Sequence, residues 1–173
     1  MAQPTSRAAA PRAAAAAPRF TADDARKLVQ DGGYNHVKVA LTDVDGILRG
    51  KYMSREKFFS SLEKGFAFCD VIVGWDSHDQ LYDNARYTGW HTGYPDATAK
   101  IDLLTYREVP WDNRVPFFLA DFETEAGGPL PVCPRRQLRK VVERARAAGY
   151  APLMSLEYEW FNFRETSQTM AEK

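Results

Sequence analysis

Val37, Val39 and Leu41 alternate with Lys38, Ala40 and Thr42, and the run stops at Asp43-Val44-Asp45-Gly46 before a second β-prone stretch over 47–53. A period of two puts the three large apolar side chains on one face of a strand, while Asp and Gly supply the side-chain bonding and positive φ of a tight reversal. These features predict a β-hairpin, so the core opens with an antiparallel pair rather than a repeating strand–helix–strand unit.

Punctuation sets the next elements. Thr21-Ala22-Asp23-Asp24 resembles a capping box, and Leu28 and Val29 extend a short helix to Gly32-Gly33. Ser54 is an N-cap for a second helix with Phe58, Phe59 and Leu62 on one side, closed at Gly65. Residues 66–75 are apolar enough to predict a strand, followed by a polar connection over 76–96 of a length that is usually functional or flexible. Residues 100–107 and 115–122 read as two more strands, separated by Pro110 and closed by Gly127-Gly128.

This order suits an α+β sheet with a helix laid across one face, as in a β-grasp. Residues 134–148 then form a charged amphipathic helix with Leu138, Val141, Val142 and Ala145 at helical spacing, and 153–163 are predicted as a strand. A helix and one strand cannot enclose a core. The expected organisation is a disordered Ala/Pro-rich tail (1–20), a β-grasp domain (21–128) and the incomplete start of a catalytic domain (129–173).

The 173 residues are 45% apolar and 13% aromatic, which points to a packed chain. Lys+Arg and Asp+Glu balance at 23 each, leaving no basic surplus for a phosphate backbone, so nucleic acid is excluded as a partner. Charges or Gly/Pro break every apolar run, so no membrane span is expected. Cys69 and Cys133 are isolated, without CxxC spacing, which fits a reducing, cytoplasmic compartment. Arg7, Arg12 and Arg19 with no acid before Asp23 resemble a transit peptide, but Pro4, Pro11 and Pro18 interrupt any amphipathic helix there, and a simple tail is the plainer reading.

Glu157 and Glu159 are the first candidates for chemistry. Two residues apart in a strand, they share one face, and two carboxylates suit a hard divalent cation such as Mg²⁺ or Mn²⁺. An acidic pair at this spacing is usually a solvated strand face; here Leu156, Trp160, Phe161 and Phe163 surround it, where unpaired carboxylates are costly. Asp43 and Asp45 in Val39–Leu48 resemble the nucleophile and acid/base of haloacid-dehalogenase-type phosphatases, against the plainer reading of an Asp-Gly turn. Residues 75–79, Trp-Asp-Ser-His-Asp, gather possible ligands, yet neighbours in one loop rarely converge. His36, His78 and His91 are isolated, and no catalytic triad or phosphate-binding GxxxxGK[ST] loop is present.

Four stretches together resemble one family, the glutamine synthetases. Pro95-Asp96-Ala97-Thr98-Ala99-Lys100-Ile101-Asp102 with Arg107 is similar to a Pro-Asp-Ala-Ser-Thr-Ala…Asp…Arg segment of that family. Pro134-Arg135…Ala148-Gly149 resembles the helix opening its catalytic domain, and 156–163, Leu-Glu-Tyr-Glu-Trp-Phe-Asn-Phe, resembles its Glu-x-Glu-Phe-Phe-x-Phe strand. Asp43…Gly46 with Arg49-Gly50-Lys51, and the later Gly74-Trp75, match its N-terminal hairpin and Gly-Trp.

The resemblance implies a β-grasp domain and Glu157 and Glu159 as ligands to two divalent metals, Mg²⁺ or Mn²⁺. It implies an ATP-dependent ligase of nitrogen metabolism that phosphorylates the γ-carboxyl of glutamate before ammonia or an amine displaces the phosphate. A ring-shaped homo-oligomer with sites between neighbouring subunits is also implied, with Asp70 and Trp75 on the substrate or intersubunit side. The pattern departs at residues 68–75, where Phe-Cys-Asp-Val-Ile-Val-Gly-Trp replaces Phe-Asp-Gly-Ser-Ser before the Gly-Trp, so Asp70 is out of register with the family's ammonium-binding aspartate. An organic amine is then a credible acceptor. The remaining catalytic residues are expected beyond Lys173, and the chain by itself is expected to be inactive. The alternatives are a non-catalytic β-grasp module for assembly or binding, and the phosphatase.

Overall fold

The computed structural model of the chain describes residues 20–172, so the Ala/Pro-rich stretch over 1–19 lies outside the described residues. The chain divides into two compact units between Arg139 and Lys140.

The first unit contains helix α1 (Ala22–Asp31), strands β1 (His36–Thr42) and β2 (Leu48–Ser54), helix α2 (Arg55–Lys64), strand β3 (Phe66–Cys69), a short 3-10 helix (Asp70–Val73), and strands β4 (Asp96–Val109) and β5 (Val115–Phe122). The five strands form one sheet in the order β2-β1-β5-β4-β3. β1 and β5 run parallel at its centre, and the other pairs are antiparallel. The protein is therefore a mixed α+β fold.

Local chemistry explains the elements. The Thr21 hydroxyl accepts from Asp24 N while the Asp24 carboxylate accepts from Thr21 N, a complete capping box for α1. Ser54 caps α2 through Lys57 N, and Gly65 ends it at φ 75°, where a Cβ would lie 2.5 Å from the Ala99 carbonyl oxygen.

One face of the sheet carries the core. Val37, Val39 and Leu41 of β1 and Phe118, Ala120 and Phe122 of β5 pack with Ala25 and Val29 of α1 and Phe58 of α2. Phe58 stacks on Phe118 with ring centroids 5.3 Å apart, and both are fully buried. Each such side chain contributes about 1.5–3 kcal/mol relative to exposure. In β4 the pairing with β5 shifts register between Asp102 and Arg107. Thr105 repairs the gap: its hydroxyl accepts from Leu119 N at 2.8 Å and donates to the Asp102 carbonyl at 2.6 Å.

The opposite face carries charge. Asp102 and Asp121 alternate with the core residues Ile101 and Ala120 and so point away from them. The helix α3 (Pro134–Ala147) begins over this face and buries none of its residues. Arg135 bridges both acids, at 2.6 Å to Asp102 and 2.7 Å to Asp121; Arg136 lies 3.2 Å from Asp121, and Arg139 lies 2.8 Å from Asp102. With Asp121 at 1% exposure, both acids require these partners.

The second unit differs from expectation. It holds the end of α3 and a five-residue helix, α4 (Ser167–Ala171), but residues 150–163 have no regular secondary structure. The strand predicted over 153–163 is absent because no strand among the described residues pairs with it, and an unpaired strand has no ladder to satisfy its backbone. Leu153, Leu156, Trp160, Phe161 and Phe163 are all exposed. A second correction concerns 66–75: β3 stops at Cys69 and the chain turns into the 3-10 helix, since β4 pairs only with Phe66–Cys69.

Phe118→Ala is expected to cost about 3–5 kcal/mol in urea unfolding, the usual range for a buried Phe. Burial opposes the charge on Asp102, but the hydrogen bond and charge of Arg135 and the bond from Arg139 outweigh it and hold its carboxyl below the usual aspartate range. A depressed folded value gives stability that is present above the unfolded value and lost as pH falls through the folded one. Asp102→Asn should therefore flatten the acid limb of a stability-versus-pH curve, measured as the urea midpoint between pH 7 and pH 3.

Candidate functional site

The best-defined polar construction is a turn clamped to a loop. At the β1–β2 reversal, Asp43 N donates to the Ile47 carbonyl and Gly46 takes φ 81°. The fully buried Asp43 carboxylate accepts from Asp45 N at 3.0 Å and Ile47 N at 2.8 Å through Oδ1, and from Arg49 Nε at 2.8 Å through Oδ2. With three donors on it and no solvent access, this carboxylate has no lone pair aimed at a substrate. The phosphatase reading is corrected on that ground, and on the antiparallel return of β2, which excludes the parallel strand–helix unit that chemistry needs.

Residues 74–95 form no helix or regular strand, yet their first part is ordered by the same acids. Asp76 Oδ1 accepts from His78 N at 2.8 Å and Gln80 N at 3.0 Å; these two backbone bonds, Gln80 first, lower its carboxyl below the usual range. Asp45 Oδ2 accepts from Ser77 N at 2.8 Å, joining the hairpin tip to the loop. The cluster of possible ligands over 75–79 is thus turn chemistry, as adjacency in one loop implied.

Trp75 lies under Arg49, whose guanidinium carbon is 5.1 Å from its ring centre, and its indole nitrogen is buried without an acceptor. Asp70 is 3% exposed and accepts from the Thr88 hydroxyl at 2.5 Å. It borders a cleft of about 380 Å³ that also includes Tyr87, Asp96, Glu123 and Glu125. These four carboxylates favour cations over anions.

Glu157 and Glu159 lie in the irregular segment of the second unit, both exposed, and no hydrogen bond or ion pair among the described residues reaches them. The same-face geometry expected of a strand is not formed there. Their carboxylate oxygens fit the chemistry of a hard divalent cation. They do not make a site alone, because no group of three or more His, Cys, Asp or Glu able to hold a metal forms among the described residues.

No protein-family model matches the chain. Over 137 residues, 79% of its length, it is 50% identical to type-1 glutamine synthetase 2 of Dictyostelium discoideum. The chain belongs to the glutamine synthetase family. It is also 33% identical over 137 residues, again 79% of its length, to a glutamate–isopropylamine ligase of a Pseudomonas species. The chain spans 26% and 30% of the lengths of these two relatives. Among solved structures, apo GmaS without ligand matches 71% of this chain and 26% of its own with a TM-score of 0.55 and 22% identity, a likeness of fold.

Sequence reasoning named Asp43, Asp45, Asp70 and Trp75 but did not assign Arg49, which joins Asp43 to Trp75. The signal was present in the Asp43…Arg49 spacing, because a residue six positions on across a hairpin returns beside the turn. Asp43→Ala, which strips the acceptor from Arg49 and two turn amides, is expected to cost about 3 kcal/mol in chemical denaturation.

Proposed function

We propose that the chain is part of an ATP- and divalent-metal-dependent ligase that forms a γ-glutamyl amide from glutamate and ammonia or an organic amine. The single observation that carries this is the 50% identity to a type-1 glutamine synthetase, reinforced by a second relative named for ligation of glutamate to isopropylamine. The sheet, with its parallel central pair and α2 against one face, supports reading it as a β-grasp type. Residues 21–128 form that domain, and 129–173 open the catalytic one.

In this reading Glu157 and Glu159 take two metal ions, Mg²⁺ or Mn²⁺, in the complete protein. When bound, these ions screen the charges that keep a carboxylate and a triphosphate apart. The chain's own contribution is two unpaired carboxylates in an aromatic-rich segment, free of competing arginine or lysine partners. Asp70 and Trp75 face the substrate or a neighbouring subunit. Trp90 and Trp111, 82% and 87% exposed, are the kind of surface that assembly into a ring covers.

An amine acceptor in place of ammonia is favoured by one observation. Where the family carries its ammonium-binding aspartate, this chain runs from β3 into a 3-10 helix, and its own Asp70 is tied to Thr88.

The test is glutamate-dependent ATP hydrolysis by the complete protein with ammonia and with a panel of alkylamines. Glu157→Ala and Glu159→Ala should each lower kcat/KM on the order of 100-fold or more and weaken Mn²⁺ binding. A complete protein without glutamate-dependent ATP hydrolysis, whose Mn²⁺ binding is untouched by both substitutions, would be a non-catalytic assembly module instead.

A further inference from the structure

One guanidinium fastens together two segments distant in the chain. Arg49 Nε donates to Asp43, Arg49 NH1 stands 2.7 Å from Asp79 Oδ1, and Arg49 NH2 donates to the Asp76 carbonyl at 3.3 Å, while the group stacks on Trp75. Its hydrogen bond to Asp43, helped by the charge of Asp79, raises its pKa further. Asp79 sits at φ 61°, a left-handed conformation that costs about 1–2 kcal/mol for a residue with a side chain, and the ion pair holds it there. Beyond the isolated antiparallel bridge of Trp75 with Leu81, residues 74–95 have no helix or sheet ladder to do this work. A lysine has one donor centre and cannot reach these acceptors in a single plane.

We propose that Arg49 is a positioning residue for the acceptor side of the ligase site: it locks the Trp75 indole and the Asp76–Asp79 turn against the hairpin, so that this edge meets its ligand pre-formed. The proposal rests on the reading of Trp75 as substrate-facing. Tyr82 belongs to the same edge. Its N–H donates to the Gly74 carbonyl, and its phenol is raised in pKa by burial and by the charges of Asp45, Asp76 and Asp43. Pre-formation matters because a loop that must be ordered at each binding event subtracts that ordering cost from affinity.

The experiment uses Arg49→Lys, Arg49→Gln and Asp79→Asn in the complete protein. Asp79 is more than half exposed, so its variant cuts the loop side while leaving Asp43 paired and the fold intact. Hydrogen exchange over residues 74–82 should accelerate in all three with β4 and β5 unchanged, and KM for the ammonia or amine acceptor should rise roughly 10-fold with kcat within about twofold. Arg49→Lys should fail to rescue. Unchanged exchange overturns the proposal, as does a loosened loop with an unaltered acceptor KM. A wild-type protein without glutamate- and amine-dependent ATP hydrolysis instead defeats the functional reading, and the exchange arm then decides by itself whether Arg49 holds the loop.

Discussion

The parallel pairing of β1 with β5 is the constraint on which the rest of the sheet depends. It joins Lys38, Val39 and Ala40 to Phe117, Phe118 and Leu119, so the chain between them must leave one edge, cross the fold and return. β2 fills one side of the pair and β4 the other, each antiparallel, and β3 closes on β4. Loop closure over such a separation is costly, and burial of Phe118 against Phe58 and the β1 valines offsets it only once the whole crossover is in place. The helices α1 and α2 are capped by their own sequence, but their apolar faces have meaning only against this centre.

Elements with strict local chemistry were legible in the sequence. The hairpin, the Ser54 cap, the Gly65 stop and the exact span of β5 all follow from alternation or from residues with a single conformational use. Residues 66–75 were not, because Val71, Ile72 and Val73 look like a strand on composition, while the partner that would make them one ends with Asp96 opposite Cys69. Residues 153–163 show the same lesson more sharply. Aromatic and β-branched character predicts a strand only when another strand is present to pair with it, and among the described residues there is none.

The site divides along the same line. Sequence could identify Asp43 and Asp45 as reactive-looking acids, since motif resemblance counts residue types and not lone pairs. The structure spends those lone pairs: two backbone amides and one guanidinium for Asp43, and a loop amide for Asp45. Glu157 and Glu159 stand at the opposite extreme, with every acceptor open. A carboxylate fixed by intramolecular donors is a structural part, whereas one left without donors retains its full capacity for a cation. On this criterion the first pair is architecture, and the second keeps the open acceptors that the proposed metal role requires.

The same accounting bears on the acceptor. An ammonium ion is small, hydrogen-bonds in every direction and must be deprotonated before it attacks, so a site for it needs a carboxylate with free lone pairs at close quarters. Asp70 has one oxygen committed to Thr88 and is 3% exposed, in a helical turn that replaces the family's Asp-Gly-Ser-Ser segment. A larger amine must lose its proton as well, but it can also be bound through contacts along its carbon chain. The loop over 74–95 offers aromatic and apolar groups, Trp75, Leu81 and Tyr82, and Arg49 holds Trp75 against the hairpin. In the proposed reading, the acids that hold this loop leave Trp75, Leu81 and Tyr82 as the surface that would meet the carbon chain of an amine acceptor.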